Sequence, residues 1–232
     1  VRGLFVTGTD TGVGKTILSA ALVAAIAASG ESVCAYKPVL TGLEEPPGEW
    51  PRDHELLAEM AGMTPEEVAP LRYGPAVSPH LAAMMAGEQP DSAGMIECAR
   101  ALAQQGTLIV EGVGGLLVPL TEDFTVRDFA VELDLPLLIA ARPGLGTINH
   151  TLLTLQTAQA AGLQACAVVL TPWPPRASAM EQSNRDTIAR IGEVDVVSLA
   201  PVSANRNELA SAGARLPWRQ WLTTHHRLPS QP

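Results

Sequence analysis

The run Val6-Thr7-Gly8-Thr9-Asp10-Thr11-Gly12-Val13-Gly14-Lys15-Thr16 constrains this chain more than any other. A short apolar stretch, Leu4-Phe5-Val6-Thr7, turns through three glycines and ends Gly-Lys-Thr at the head of a helical pattern over Thr16–Ala28. That arrangement is a phosphate-binding loop in its expected setting. The helix start presents free N–H groups and positive dipole to an anion, Lys15 reaches toward the β/γ oxygens of a polyphosphate, and the Thr16 hydroxyl helps hold Mg²⁺. One position departs from the usual Gly-x₄-Gly-Lys-Ser/Thr spacing: Thr9 stands where the first glycine falls, and the nearest glycine is Gly8.

The next apolar run, Ser32–Tyr36, completes a strand–helix–strand opening, and further β-like runs follow at Leu108–Val110, Leu137–Ala140, Ala167–Leu170 and Val194–Leu199. Helical stretches over Thr147–Ala161 and Ala177–Ile191 separate the later ones. This alternation predicts an α/β fold, a single-domain P-loop NTPase with a mostly parallel central sheet flanked by helices. With 232 residues, 47% hydrophobic and 17% charged, the chain can bury a sizeable core, and 1–232 is expected to be one domain. Within it, about 41–100 is an irregular and helical insertion, broken by Pro46-Pro47-Gly48 and Pro51 before a helical stretch at Leu56–Ala61. About 219–232 is a polar tail holding Trp221, His225 and His226 that is expected to fray.

A net charge of −9 argues against nucleic-acid binding through a basic face and against anionic membranes. Cys34, Cys98 and Cys166 form no close pair, and no window holds 18 uncharged apolar residues, so a soluble cytoplasmic protein is expected. His54, His80, His150, His225 and His226 show no metal spacing, and Met84-Met85 reads as core or helix filler.

Three charged residues outside the loop stand out. Lys37, after the second strand and before Pro38, is either a solvated strand-end lysine or a cation facing the P-loop from the carboxyl edge of the sheet. Glu111 follows Leu108-Ile109-Val110 and precedes Gly112-Val113-Gly114-Gly115, where a nucleotide enzyme keeps a Mg²⁺ carboxylate. Asp53, in the loop before the Leu56 helix, is either a second such carboxylate or that helix's N-cap.

Taken together, Gly8-Thr9-Asp10-Thr11-x-Val13-Gly14-Lys15-Thr16, Lys37-Pro38-Val39 with Thr41-Gly42, Ser78-Pro79-His80, Glu111-Gly112-x-Gly114-Gly115 and Leu145-Gly146-Thr147-Ile148-Asn149-His150 resemble the dethiobiotin synthase family, in order over about residues 3–210. The resemblance implies a homodimeric P-loop cyclo-ligase. Such an enzyme closes the ureido ring of dethiobiotin from 7,8-diaminopelargonic acid and CO₂ or bicarbonate, using ATP or another nucleoside triphosphate and Mg²⁺. A substrate amine takes up CO₂ as carbamate, the carbamate oxygen attacks the γ-phosphate, and the second amine closes on the mixed anhydride.

By the same resemblance, Lys15, Lys37 and Thr11 belong to the reacting centre, the two lysines stabilising the transferring phosphoryl group and the carbamate. Thr16, Asp53 and Glu111 hold Mg²⁺. Nucleotide contacts fall to Gly12, Val13, Gly14, Lys15, Thr16, Ile17, Asp53, Glu111, Gly112, Val113 and Gly114, and around the base to Thr171, Pro172, Pro201, Val202 and Ser203. Thr11, Thr41, Ser78 and Gly114 line the substrate pocket, while Leu145, Gly146 and Asn149 bind the substrate carboxylate across the dimer interface.

Three departures carry consequences. Gly12 stands where several relatives carry a glutamate that approaches the diamine, and Gly144 stands where some carry a lysine beside the Asn149 motif. Thr171-Pro172-Trp173-Pro174 replaces an Asn-Asp pair that recognises a purine edge, which implies a relaxed base preference that includes CTP. Two further readings share the ATPase core. A partition or septum-type switch ATPase carries a second lysine near the loop's start, where Asp10 stands here, and a membrane helix that the C-terminal sequence does not suggest. An amide-forming cobyrinate synthase needs a glutaminase domain, for which the chain leaves no room.

Overall fold

The computed structural model describes residues 1–46 and 48–223. The chain runs β1 (Gly3–Gly8), α1 (Lys15–Ala28), β2 (Val33–Tyr36), β3 (Val39–Leu40), α2 (Asp53–Ala61), α3 (Pro65–Val68), β4 (Leu71–Arg72), α4 (Pro79–Ala86) and α5 (Ser92–Ala103). It continues β5 (Thr107–Gly115), α6 (Val126–Leu133), β6 (Leu137–Ala141), α7 (Thr147–Ala160), β7 (Ala165–Leu170), α8 (Ala179–Gly192), β8 (Val196–Ser198), α9 (Arg206–Gly213) and α10 (Trp218–Trp221). Six strands form one sheet in the order β2-β5-β1-β6-β7-β8, and every neighbouring pair is parallel. β3 and β4 form a separate parallel pair.

Side chains on a strand alternate between faces, and here the alternation sorts the core into two clusters. Leu4, Val6, Ala35, Ile109, Leu138, Ala140, Ala167 and Val169 join α1, α2, α9 and α10 on one face. Phe5, Tyr36, Leu108, Val110, Leu137, Ile139, Val168 and Leu170 join α5, α6, α7 and α8 on the other. Phe129 of α6 anchors the second cluster through edge contacts with Phe5 and Tyr36 at centroid distances of 5.8 and 6.4 Å. The same alternation sends Lys37, two residues past Ala35, and Glu111, two past Ile109, to the α1 face.

α1 is buried nearly all round, since it is covered by the sheet, α2 and α9. Its Ala-rich sequence permits that close approach, and Gly213 completes it: a Cβ there would run into the backbone carbonyl of Ala21.

The structure corrects four expectations. β5 does not stop at Val110 but runs to Gly115, so Glu111 lies within a strand, with a register shift opposite Val6 and Gly8 where β1 turns into the loop. Asp53 is the first residue of α2, not a loop residue and not the N-cap, a place held by Arg52. Trp221, assigned to a fraying polar tail, is 2% exposed and packs with Trp218 on the α1-side cluster; His225, His226 and the end of the tail lie outside the described residues. The strand expected over Val194–Leu199 shortens to β8. Among the described residues no helix is long and apolar enough to cross a membrane.

Candidate active site

β1 lies at the centre of the sheet, between β5 and β6, and the loop leaving its carboxyl end turns through two left-handed glycines, Gly12 (φ 68°) and Gly14 (φ 92°). Gly14 is the N-cap of α1 and supplies no side chain, so the first-turn N–H groups face the cleft without a side-chain cap. Three hydrogen bonds brace the loop. Lys15 Nζ donates to the Asp10 carbonyl (2.9 Å), the Thr11 N–H to Asp10 Oδ1 (2.7 Å), and Arg142 Nη2 to the Thr11 carbonyl (3.0 Å).

Behind the loop sits a compact charged cluster. Lys37, 4% exposed, donates to Glu111 Oε1 at 2.7 Å and to Asp53 Oδ2. Thr16 Oγ1 donates to the same Glu111 oxygen at 2.9 Å. Glu111 is fully buried, and its other oxygen, Oε2, has no hydrogen-bond partner. The solvated reading of Lys37 is therefore excluded.

The cations respond differently to burial. For Lys37 burial disfavours the charge, but Asp53 and Glu111 outweigh it and hold the ammonium above its ordinary value. Lys15 lacks a carboxylate at hydrogen-bonding distance, so burial dominates and brings its pKa down to about 8, with Lys37 adding to the fall and Glu111 opposing it. Asp53 is disfavoured as an anion by burial, yet Lys37 wins and holds it below the usual carboxylate range.

A cleft of about 750 Å³ opens over this cluster. Thr11, Gly12, Gly14, Lys15, Thr16, Ile17, Lys37, Thr41, Asp53, Ser78, Glu111, Val113 and Gly114 all line it. Sequence reasoning did not single out the apolar wall of Leu40, Trp50, Leu56, Val77 and Val118; a half-buried Trp in a loop next to Pro51 is the one cue it offered. Glu55 is exposed and its carboxylate accepts the Arg52 N–H at 3.1 Å, so Asp53 alone of that pair reaches the cleft.

Other expected contacts lie elsewhere. Val13 is buried in the α1-side core, and Gly112 backs onto Val126 and Phe5 in the opposite core. Thr171 is buried against Gly14, where a Cβ would stand 2.5 Å from its methyl group, and is followed by the exposed Pro172. Pro201 and Ser203 are exposed and Val202 half-buried in the segment between β8 and α9. Leu145 (93% exposed), Gly146 and Asn149 sit at the start of α7, outside the cleft. Leu145 instead borders a small cavity of about 90 Å³ with Asp10, Arg142 and His150.

The arrangement is suited to binding a polyphosphate at the α1 N-terminus beside two lysines, with oxygen ligands opposite. Comparison with known proteins agrees. Residues 2–207 match the family model described as an AAA domain. The chain is 42% identical over 204 residues to the ATP-dependent dethiobiotin synthetase BioD of Anaeromyxobacter dehalogenans, covering 87% of this chain and 90% of that protein. It is 41% identical to the proteins of the same name from Mycobacterium sp. (strain KMS), over 88% and 92% of the two chains, and Rhodococcus jostii, over 91% of each. Among solved structures, a ParA family ATPase from Chlorobium tepidum superposes with a TM-score of 0.52 at 12% identity over 97% of both chains, a likeness of fold.

Proposed function

This chain belongs to the ATP-dependent dethiobiotin synthetase family, and we propose that its cleft closes the ureido ring of dethiobiotin through a carbamate and a mixed carbamic–phosphoric anhydride. The observation that carries the proposal is the pairing of two buried lysines, Lys15 and Lys37, in one cleft beside the α1 N-terminus.

ATP is the co-substrate, its triphosphate on the first-turn N–H groups of α1. 7,8-Diaminopelargonic acid lies against Thr11, Thr41, Ser78 and Gly114, and CO₂ is taken up by one of its amines. Lys15, released from the Asp10 carbonyl, follows the charge of the transferring phosphoryl group. Lys37 faces the carbamate side. Neither lysine transfers a proton; both act as cations placed where negative charge develops. Leu145, Gly146 and Asn149 reach a carboxylate only from a second copy of the chain, so the working unit in this proposal is a homodimer.

Thr16, Asp53 and Glu111 suit Mg²⁺. All are hard oxygen donors, two are carboxylates, and Glu111 Oε2 is a buried acceptor with an open lone pair. When bound there, Mg²⁺ would neutralise charge between the β- and γ-phosphates.

The test is to incubate the purified protein with the diamine, bicarbonate, Mg²⁺ and either ATP or CTP, following phosphate release and product mass. Ring-closed product is expected with both nucleotides. Phosphate release indifferent to the diamine, without product, would favour a switch ATPase instead. A CTP-to-ATP ratio of kcat/KM below about 0.01 would refute the relaxed base preference carried by Thr171-Pro172.

Lys15 adds a pH signature. Its free-state pKa of about 8 lies below its ordinary value, and a bound triphosphate restores the charge. Nucleotide binding above pH 8 should therefore take up a proton, and apparent affinity should fall by up to about tenfold per pH unit there. Calorimetry at pH 9 in two buffers of different ionisation enthalpy reads the uptake directly. Identical heats in both would contradict it.

A further inference from the structure

The N-cap of α2 is an arginine, where helices prefer Ser, Thr, Asp or Asn, because only an acceptor can satisfy the first-turn N–H groups. Arg52 makes no such cap. Its guanidinium folds back over the preceding loop, with Nη1 donating to the Gly42 carbonyl (3.3 Å) and Nη2 to those of Leu43 (2.8 Å) and Glu45 (3.1 Å). A planar fork with several donors suits such a cluster of carbonyls, whereas an ammonium does not match it.

The N–H groups of the same strip point the other way. Gly42 donates to the Pro75 carbonyl (3.0 Å), Leu43 to Tyr73 (3.2 Å) and Glu44 to Gly74 (2.9 Å). Apart from the Glu45 N–H, which donates to the Gly42 carbonyl at 3.2 Å, these backbone groups are divided between Arg52 on one edge and residues 73–75 on the other. Thr41 immediately precedes the strip, Ala76, Val77 and Ser78 immediately follow residues 73–75, and all four line the cleft. Asp53 follows Arg52 in the chain but is held separately by Lys37.

We infer that Arg52 is a positioning residue that sets the spacing between Thr41 and Ser78 and so the affinity of the cleft for the diamine, an inference that rests on the diamine reading of this site. Arg52 touches no reacting group. Its loss leaves carbonyls that water can solvate, so the fold should survive while the wall loosens.

The test is steady-state kinetics on wild type, Arg52→Ala, Arg52→Lys, Gly42→Ala and the Arg52→Ala/Gly42→Ala double variant, with folding checked by circular dichroism. Gly42 holds a left-handed φ of 87°, so alanine there strains the same strip from within. Arg52→Ala should raise KM for the diamine about tenfold, with KM for ATP and kcat at saturation changed by less than about threefold. Arg52→Lys should recover only part of the loss, Gly42→Ala should show the same split, and the double variant should fall short of the product of the singles. An unchanged diamine KM in Arg52→Ala, an equal rise in both KM values, or full additivity would overturn the inference while leaving the proposed reaction intact. Failure of the wild type to turn over the diamine would overturn both.

Discussion

Replacing Lys37 with alanine is expected to lower kcat by about 10³-fold, the scale set by removing one fixed charge from a phosphoryl-transfer site. Phosphate release at saturating ATP and diamine checks it, and a loss below about tenfold would remove Lys37 from the proposed mechanism. The substitution should also weaken the free protein. Lys37 bridges a fully buried carboxylate, Glu111, and a partly exposed one, Asp53, and removing one partner of a buried ion pair costs about 3 kcal/mol or more. The acid limb gives an independent readout. The Asp53 carboxyl is held below its ordinary value, so its stabilisation is complete above the unfolded value of about 4 and is lost as pH falls through the folded one. Without Lys37 the largest lowering influence on Asp53 is gone, leaving only Thr16 and Lys15 against burial, and melting temperature should fall less between pH 5 and pH 3 in Lys37→Ala than in wild type.

The largest effect on stability alone is expected at Gly213. A Cβ there would run into the Ala21 carbonyl oxygen and stand 2.8 Å from the Ala25 methyl, so neither contact belongs to a flexible side chain that can swing aside. Gly213→Ala must push α9 off α1 and should cost about 3 kcal/mol, the upper range for overpacking a core. That corresponds to a melting temperature lower by about 6–12 °C for a domain of this size. Gly62→Ala is the control: Gly62 has a left-handed φ of 70°, which Gly213 does not, but nothing lies within 4 Å of its added methyl. It should cost only about 1 kcal/mol. Equal losses at the two positions would show that the helix contact at Gly213 costs no more than the backbone strain at Gly62.

Much of the site could be seen in the sequence because two periodicities carry it. Three glycines before Lys-Thr mark the anion loop, and strand alternation carries Lys37 and Glu111 to the face that α1 covers. Both lysines, Thr16, Asp53 and Glu111 meet in one cleft; the sheet edge pointed to Lys37 and Glu111, whereas Asp53 was placed with them only by the family resemblance. What escaped lacks a period. Strands as short as β3 and β4 have no alternation to detect, and β5 crosses a glycine-rich stretch that reads as a loop. The start of α2 was hidden because Arg52 is a poor cap, and Trp221 was lost in a polar stretch because its spacing of three from Trp218 is too short a run to show a period. Arg52, Trp50 and Arg142 belong to the architecture of the cleft through contacts made far along the chain or across irregular backbone, which spacing does not encode.

Lys15 and Lys37 are matched in charge by Asp53 and Glu111, so the cleft is close to electroneutral although the chain carries a net charge of −9. A pocket holding only the two lysines would repel itself open, and one holding only the carboxylates would repel an anionic co-substrate. In the proposed reaction nucleotide arrival would be an exchange of counter-ions: Lys15 would trade a backbone carbonyl for phosphate, and the oxygens of Asp53 and Glu111 would be the ones to take a divalent ion. Under that proposal each incoming charge would meet a partner of opposite sign, and little binding energy would be spent on rearranging the walls.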